Sequence, residues 1–205
     1  MRASSPVPVR QLVLASASPA RLALLKNAGF SPAVVVSGVE EDGFDHLPTF
    51  EQVAVLARRK AEAVAARPEA ADAVVVGCDS LLEFDGESRG KPASADQAIV
   101  WWTAMRRNTG LLHTGHCVID CRTGESAAAV GTTTMRFGDP TDEEVAAYVA
   151  TGEPLRVAGG FTQRGLSGPF IDGIDGDSGN VTGISLPLFR RLLGELGVTV
   201  MDLWV

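Results

Sequence analysis

Short apolar runs alternate with segments whose apolar residues lie three or four positions apart, and this alternation continues along most of the chain. Leu12–Leu14 has the length and composition of a short buried strand. Leu22, Leu25 and Ala28 then recur at helical spacing, and Gly29 stands where a helix commonly ends. The pattern predicts a strand that leads directly into a helix near the start of the chain.

The middle of the chain predicts further strands and helices in alternation. "SPAVVVSGVEEDG" predicts a second strand that ends in acidic residues, and residues 52–66 have the apolar spacing of a helix. The apolar run "ADAVVVGCDSLLEF" predicts a buried strand that is interrupted at Cys78-Asp79-Ser80. Two later runs, "HCVIDC" and "AAAVGTTTMRF", flank "RTGES" as a β-hairpin.

Capping residues mark where two later helices begin. Ser94 with Gln97, and Thr141 with Glu144, have the spacing of a capping box. A glycine-rich stretch over residues 159–183 comes next, and "LPLFRRLLGELG" predicts the last helix. Interleaved strands and helices with one hairpin favour an α/β fold in which a mixed β-sheet is flanked by helices.

Length and charge restrict the class of protein. The 205 residues suit a single domain over residues 1–205, with residues 1–10 as a flexible tail. A formal net charge of −7 opposes broad binding to nucleic acid, although a local cluster of cations is enough for a small phosphorylated ligand. No signal peptide is evident, and no stretch approaches the roughly 20 apolar residues of a membrane span. We therefore expect a cytoplasmic protein with no nucleic-acid or membrane partner.

The cysteines Cys78, Cys117 and Cys121 contain no CxxC pair. Their odd number and the missing secretion signal favour a reducing compartment over a disulfide framework. The histidines do not repeat with them at the spacing of zinc ligands. We expect the cysteines to be packing residues or unreactive surface thiols.

The turn in "LASASPARLALL" joins the first strand to the first helix and carries the first candidate chemistry. Ser18 and Pro19 have the preferences of an N-cap and a first helical residue, which places Arg21 in the first turn. A cation opposes the helix dipole there, so its presence beside free N–H groups and hydroxyls indicates an anion site. The alternative is an ordinary capped helix whose arginine points into solvent.

Asp79 is the most informative single residue. Five apolar or glycine residues, 73–77, precede it, so we expect it near the end of a buried strand. A carboxylate there is costly unless it meets a cation or hydrogen-bond donors, or lies in a cleft. The alternative is an aspartate that caps the strand end or is hydrogen-bonded in a turn.

Two further segments hold candidate ligands for phosphate or metal. Lys91 in "GESRGKP" could meet phosphate as a point charge, although Pro92 stands where a P-loop has Ser or Thr; a solvated lysine is the alternative. Glu41 and Asp42 could hold a divalent cation through oxygen ligands, or be a surface charge run.

Several residues have a structural interpretation. Arg58, Arg59 and Lys60 predict a mostly solvated helix face from which one side chain could turn inward. His113 and His116 are expected before a strand, in capping or packing positions. Trp101 and Trp102 are adjacent in a helix, so at most one faces the core.

Three motifs taken together resemble the Maf family of nucleoside triphosphate pyrophosphatases. The family patterns LAS-x-SPRR-x-x-LL, GADT with a downstream GKP, and AGGY…G…NV-x-GLPL correspond here to "LASASPARLALL", "GCDS…GKP" and "AGGFTQRG…GNVTGISLPL". The match runs in family order from Leu14 to Leu196. The resemblance implies two lobes with a central cleft, an inosine triphosphatase-like fold, a divalent metal (Mg²⁺ or Mn²⁺) and a homodimer.

The resemblance also assigns roles to individual residues. It implies hydrolysis of a nucleoside triphosphate to the monophosphate and pyrophosphate, in the service of clearing noncanonical or surplus nucleotides. It implies a catalytic set, a substrate-binding set and a metal-binding pair: Asp79, Lys91 and Lys60 for catalysis; Ser16, Ser18, Arg21, Ser80, Gln163 and Arg164 for substrate; Glu41 and Asp79 for the metal. Whether Asp79 is the general base or a metal ligand stays open.

Three departures from the family pattern fall where the base is recognised. Ala20 replaces the first arginine of SPRR, and Arg164 stands where glutamine is frequent, with Gln163 one residue early. Ser80 stands where threonine marks the dTTP/UTP branch of the family and glutamine the 7-methyl-GTP branch. The preferred base therefore stays open. An alternative function is a nucleotide-binding regulator of cell division with little turnover.

Overall fold

The computed structural model describes residues 10–205. The predicted flexible tail at residues 1–10 thus lies, except for Arg10, outside the described residues. The Arg10 guanidinium bonds the Asp120 carboxylate through two hydrogen bonds of 2.5 and 2.8 Å.

One mixed sheet of seven strands organises residues 10–205, in the order β2-β1-β3-β5-β6-β7, with β4 paired to β3. β1 is parallel to both β2 and β3, and the remaining pairs are antiparallel. The strands are β1 Leu12–Leu14, β2 Ala33–Val34, β3 Val74–Phe84, β4 Glu87–Arg89, β5 Thr109–Asp120, β6 Ser126–Phe137 and β7 Ile171–Asp175. The predicted α/β class with a mixed sheet is confirmed.

Helices cover the sheet. Over the described residues they are α1 Pro19–Asn27, α2 Thr49–Ala65, α3 Ala95–Met105, α4 Asp142–Ala150, α5 Ser178–Thr182 and α6 Leu186–Glu195, with short 3₁₀ turns between several of them. None of these helices is long and apolar enough to cross a bilayer.

The predicted N-terminal caps of α1, α3 and α4 are confirmed, although one of the two predicted capping boxes is incomplete. Ser18 caps α1 by accepting a hydrogen bond from Arg21 N, and Thr141 with Glu144 forms a complete capping box. Ser94 caps α3, but the Gln97 side chain bonds the Ala93 N–H instead of the Ser94 N–H, so this box is incomplete.

Other predicted boundaries were wrong. β2 has only two residues, and α2 begins at Thr49, three residues earlier than expected. Asp79 lies in the middle of β3, not near its end, because β5 pairs with β3 from Val74 to Glu83 and supplies backbone partners past the aspartate. His113 and His116 lie within β5 for the same reason, not before it.

Alternate residues of β1 and β3 serve two separate cores on opposite faces of the sheet. The even-numbered residues of β1, and those of β3 as far as Cys78, pack beneath α1 and α6. Odd-numbered residues of the same strands, such as Val13 and Val75, pack beneath α2. A third cluster surrounds the fully buried Trp102, as expected for one of the two tryptophans. The predicted division into two lobes, and the single domain over the whole chain, stay predictions.

A gap in the strand pairing of β3 positions the cleft. β1 pairs with β3 only as far as Val76, and β4 pairs with it only from Leu82. Residues 77–81 therefore have one strand edge that neither β1 nor β4 covers. Asp79 and Ser80 lie in this gap, and because successive side chains alternate, they point to opposite faces.

Candidate active site

A cleft of about 1050 Å³ opens at this gap. Its wall comes from the β1–α1 turn, the acidic loop before α2, α2 itself, β3, the loop after β4 and the glycine-rich last quarter. All the site residues expected from the sequence line it: Ser16, Ser18, Arg21, Glu41, Lys60, Asp79, Ser80, Lys91, Gln163 and Arg164.

Arg21 is held on one side of the cleft by three hydrogen bonds. Nε donates to Gly183 O at 2.7 Å, Nη1 to Ser16 Oγ at 3.0 Å and Nη2 to Ser80 Oγ at 3.0 Å. The arginine therefore does not point freely into solvent, and the anion-site interpretation of the β1–α1 turn stays a prediction.

Gly183 allows the carbonyl contact with Arg21. It ends α5 with φ of 112°, a left-handed conformation that favours glycine, and a Cβ at this position would lie 2.8 Å from Arg21 Nε. Glycine at this C-cap thus permits the left-handed turn and leaves room for the Arg21 guanidinium.

An ion cluster around the buried Lys60 lies on the opposite face of β3, with Asp79 buried and Glu41 exposed. Lys60 is 7% exposed, and its Nζ lies 2.6 Å from Asp79 Oδ1 and 2.5 Å from Glu41 Oε1. Lys60 is the basic residue of α2 that turns inward, whereas Arg58 and Arg59 stay on the exposed face. Asp79 is only 7% exposed, so a neighbouring cation offsets the cost of its burial.

The lysine also governs the charge of Glu41. Burial alone would raise the pKa of the Glu41 carboxyl, but the hydrogen bond from Lys60 and the charges of Lys60, Lys91 and Arg21 outweigh it and hold that pKa below its ordinary value. Glu41 is therefore a carboxylate at neutral pH.

Glu41 and Asp79 also have the chemistry of metal ligands. Within residues 10–205, no group of three or more His, Cys, Asp or Glu side chains is arranged to hold a metal ion. Two carboxylates fit Mg²⁺ or Mn²⁺ nonetheless, since Mg²⁺ is usually bound by one or two carboxylates together with substrate phosphates. The donor set therefore suits an ion that takes its remaining ligands from outside the protein.

Three predicted residues line the cleft without bonding to the Arg21 or Lys60 clusters. Lys91 is exposed, in the loop after β4. Gln163 Oε1 is buried in the wall and has no hydrogen-bond partner among residues 10–205. Arg164 is exposed. The structure thus distinguishes a half-buried glutamine, with its Oε1 buried, from an exposed arginine at the two positions that the sequence left ambiguous.

Sequence reasoning missed the residues that hold the Gln163 loop. Glu153 Oε1 accepts hydrogen bonds from Thr162 Oγ1 at 2.6 Å and Leu166 N at 3.1 Å. The fully buried Ser167 closes the same loop by accepting from Thr162 N and donating to Thr162 O. No pattern in the sequence pairs these positions, because the contacts depend on the loop's fold.

The cysteines and histidines near the cleft are packing groups. Burial raises the pKa of the Cys78 thiol to about 12 and that of Cys117 to about 11, so neither is a thiolate nucleophile at neutral pH. Burial lowers the pKa of His116 to about 4. The neutral ring of His116 donates through Nδ1 to Thr114 O and accepts at Nε2 from Ser185 N.

Comparison with known proteins finds similar sequences over almost the whole chain. A family model described as Maf-like protein matches residues 11–196. Proteins named nucleoside triphosphate pyrophosphatase are 56% identical in Streptomyces coelicolor (98% of this chain, 97% of that protein), 58% in Streptomyces avermitilis (96% of each) and 46% in Gloeothece citriformis (94% of this chain, 97% of that protein). The chain therefore belongs to the family of Maf-like proteins.

Proposed function

We propose that this chain hydrolyses nucleoside triphosphates to the monophosphate and pyrophosphate, and so removes noncanonical or surplus nucleotides. The observation that carries the proposal is the meeting, in one cleft, of a fixed arginine with a buried lysine–aspartate pair: Arg21 on one face of β3 and Lys60–Asp79 on the other. The shared name of the similar proteins supports the enzyme over a regulator without turnover.

Arg21 supplies a binding site for phosphate. A guanidinium has five N–H groups, and three of those of Arg21 are used within the protein. Among residues 10–205 no further partner is seen, so one N–H is left on each terminal nitrogen, which suits two oxygens of one phosphate. Lys91, exposed on the cleft wall, adds a point charge for the same triphosphate.

The hydrolysis balances with the groups present. Water attacks the α-phosphorus, and the bond from this phosphorus to the oxygen that bridges to the β-phosphorus breaks with its electron pair on pyrophosphate. Lys60 occupies Asp79 Oδ1, which leaves Oδ2 to accept the proton of the attacking water. Arg21 and Lys91 offset the charge that develops on the pyrophosphate.

A divalent cation completes the proposal. Glu41 would hold Mg²⁺ or Mn²⁺ together with oxygens of the triphosphate, with Asp79 as the second donor where it does not act as the base. When bound, the ion neutralises charge on the phosphate oxygens.

The test is hydrolysis of a panel of canonical and modified nucleoside triphosphates, including dTTP, UTP and 7-methyl-GTP, with Mg²⁺ or Mn²⁺. Pyrophosphate and phosphate are assayed separately, since only pyrophosphate release fits the proposal. Asp79→Asn should abolish release, whereas Asp120→Asn, a buried aspartate in the Arg10 ion pair at the far end of β5, should retain it. Nucleotide binding without pyrophosphate release by the native chain would favour the regulator instead.

The role of Asp79 needs a second measurement. Mn²⁺ bound with nucleotide is followed by electron paramagnetic resonance in native chain and in Asp79→Asn. If the inactive variant still binds Mn²⁺ as the native chain does, Asp79 acts as the general base. If Mn²⁺ binding is lost, Asp79 acts as a metal ligand.

The homodimer and the cytoplasmic location also stay proposals. The family resemblance supports the first, and the free cysteines Cys78, Cys117 and Cys121 support the second. Light scattering on the purified chain decides the first, since a mass near 43 kDa, twice the 21.5 kDa of one chain, is expected.

A further inference from the structure

The hydroxyl of Ser80 lies between Arg21 and a residue outside the cleft wall. Ser80 Oγ lies 3.0 Å from Arg21 Nη2 and 2.9 Å from Thr114 Oγ1. Thr114 is fully buried on β5, directly opposite Ser80 in the strand register, and its Oγ1 also lies 2.9 Å from Asn180 O.

The direction of every hydrogen bond in this chain of contacts is fixed. Asn180 O is a carbonyl and only accepts, so the single hydroxyl proton of Thr114 goes to it. Thr114 Oγ1 then has only lone pairs for Ser80, and Ser80 must donate its own proton to Thr114. Ser80 consequently presents a lone pair to Arg21, which is the interaction that a guanidinium needs.

We propose that Thr114 is a positioning residue for Arg21 and acts through Ser80. The inference rests on the proposed function, because it assumes that Arg21 binds the triphosphate. Three contacts at three different nitrogens fix the plane of the guanidinium, and the contact at Nη2 depends on how the Ser80 hydroxyl is turned. Without the Thr114 hydroxyl, the Ser80 proton is free to rotate toward Arg21 and weaken that contact.

A second consequence concerns Ser80 itself. Its only proton is committed to Thr114, so Ser80 has none to donate to a nucleobase. The serine therefore orients Arg21 and does not read the base by donating a hydrogen bond, which modifies the substrate-binding role expected from the sequence.

The test measures binding of inorganic tripolyphosphate by calorimetry, without added metal, to native chain and variants. Thr114→Val keeps the shape and removes the hydroxyl, whereas Thr114→Ser retains it. Thr133→Val is the matched control. Thr133 is also fully buried, lies on the neighbouring strand, donates to Asp177 O and accepts from Asn180 Nδ2, but it has no hydrogen bond to Ser80 or Arg21.

We expect Thr114→Val to raise the Kd about tenfold, as for the loss of one hydrogen bond to a charged group. Thr114→Ser should have a Kd within about twofold of the native value. Thr133→Val should lower the stability of the chain and leave the Kd unchanged. In an Arg21→Ala background, which itself weakens binding, Thr114→Val should have no further effect, since a residue that acts through Arg21 has nothing left to position.

The proposal is overturned if Thr114→Val leaves the Kd unchanged, or if Thr133→Val raises the Kd by the same factor. It is also overturned if Thr114→Val raises the Kd by the same factor in the Arg21→Ala background, or if Arg21→Ala binds tripolyphosphate as tightly as the native chain does. Should Thr114→Val fail to fold, Ser80→Ala breaks the same contacts at their middle and is held to the same outcomes. Binding of tripolyphosphate needs no turnover. If the native chain has no hydrolytic activity, that result counts against the proposed function, and the Kd values of the variants still test the role of Thr114.

Discussion

Gly77 in β3 lies directly against the backbone of Ala57 in α2: a Cβ built on the glycine would come within 2.4 Å of the Ala57 carbonyl oxygen. Gly115 in β5 has the same relationship to Val53, with a distance of 2.0 Å. Lys60 follows Ala57 by one helical turn, and Asp79 follows Gly77 on the same strand face. The two glycines therefore set the distance at which the lysine reaches the aspartate.

Gly77→Ala should push α2 away from the sheet. We expect the free energy of unfolding to fall by about 2 to 3 kcal/mol, as for overpacking of a close-packed core, and pyrophosphate release to fall with it because Lys60 moves from Asp79. Urea unfolding and the hydrolysis assay measure the two effects.

The control is Gly194→Ala, at an exposed position of α6 where a Cβ would meet nothing within 4 Å. This change should stabilise the chain by about 0.5 kcal/mol through helix propensity. A Gly77→Ala variant as stable and active as the Gly194→Ala variant would contradict the close approach.

Lys60→Met should leave two carboxylates without their shared cation. Because Asp79 is buried, we expect a loss of about 3 kcal/mol in the free energy of unfolding at neutral pH, and little remaining pyrophosphate release. Arg58→Met on the same helix breaks only an exposed pair with Glu62 at 3.9 Å and should cost less than about 0.5 kcal/mol. Equal losses in the two variants would show that the buried pair adds nothing.

His116 should make stability depend on pH. Its pKa in the folded chain is about 4, below its ordinary value of 6.5, because burial disfavours the charged ring. The unfolded chain thus binds more protons between pH 6.5 and pH 4, and stability is lost as the pH falls through this window, by about 3 kcal/mol at most.

His116→Gln should flatten that dependence, whereas His46→Gln, at an exposed position, should preserve it. Urea unfolding at half-unit steps of pH measures both. Parallel curves for native chain and His116→Gln would mean that another group accounts for the acid sensitivity.

Asp120→Asn should lower stability without affecting hydrolysis. The hydrogen bond from Arg10 holds the pKa of the Asp120 carboxyl below its ordinary value, so the ion pair stabilises the chain above the unfolded pKa, and this contribution is lost as the pH falls through the folded one. We expect a loss of about 2 kcal/mol at pH 7 that shrinks below pH 4. A difference that persists unchanged at low pH would exclude the charge as its origin.

Gln163 and Arg164 should contribute differently to substrate choice. The buried Oε1 of Gln163 lacks a donor among residues 10–205, and an unmet buried acceptor costs about 1 to 3 kcal/mol, which a donor on the ligand would recover. Gln163→Ala should therefore change the ratio of kcat/KM values across the nucleotide panel, and Arg164→Ala should change it little. The opposite ranking would assign base recognition to the arginine.

Local signals in the sequence were enough for most elements. The α1 cap at Ser18, the Thr141 capping box and the β5–β6 hairpin each depend on residues close together along the chain, and each is present. The motifs also brought together the residues that line the cleft, because their family order carries information that no single residue has.

Long-range pairing set the limits of prediction. The sequence predicts Asp79 near a strand end because the apolar run is interrupted there, but pairing with β5 as far as Glu83 and with β4 at Phe84 extends the strand. The inward turn of Lys60 depends on how α2 sits on Gly77 and Gly115, and the place of Thr114 depends on strand register. Neither is encoded in a local pattern.

The contact between Arg21 and Gly183 joins residues that are 162 positions apart. Arg21 is therefore synthesised long before Gly183, whose carbonyl oxygen accepts the hydrogen bond from Nε. A nascent or truncated chain that ends before Gly183 lacks this acceptor, so all three hydrogen bonds of the Arg21 guanidinium can form only after the last quarter of the chain has been made.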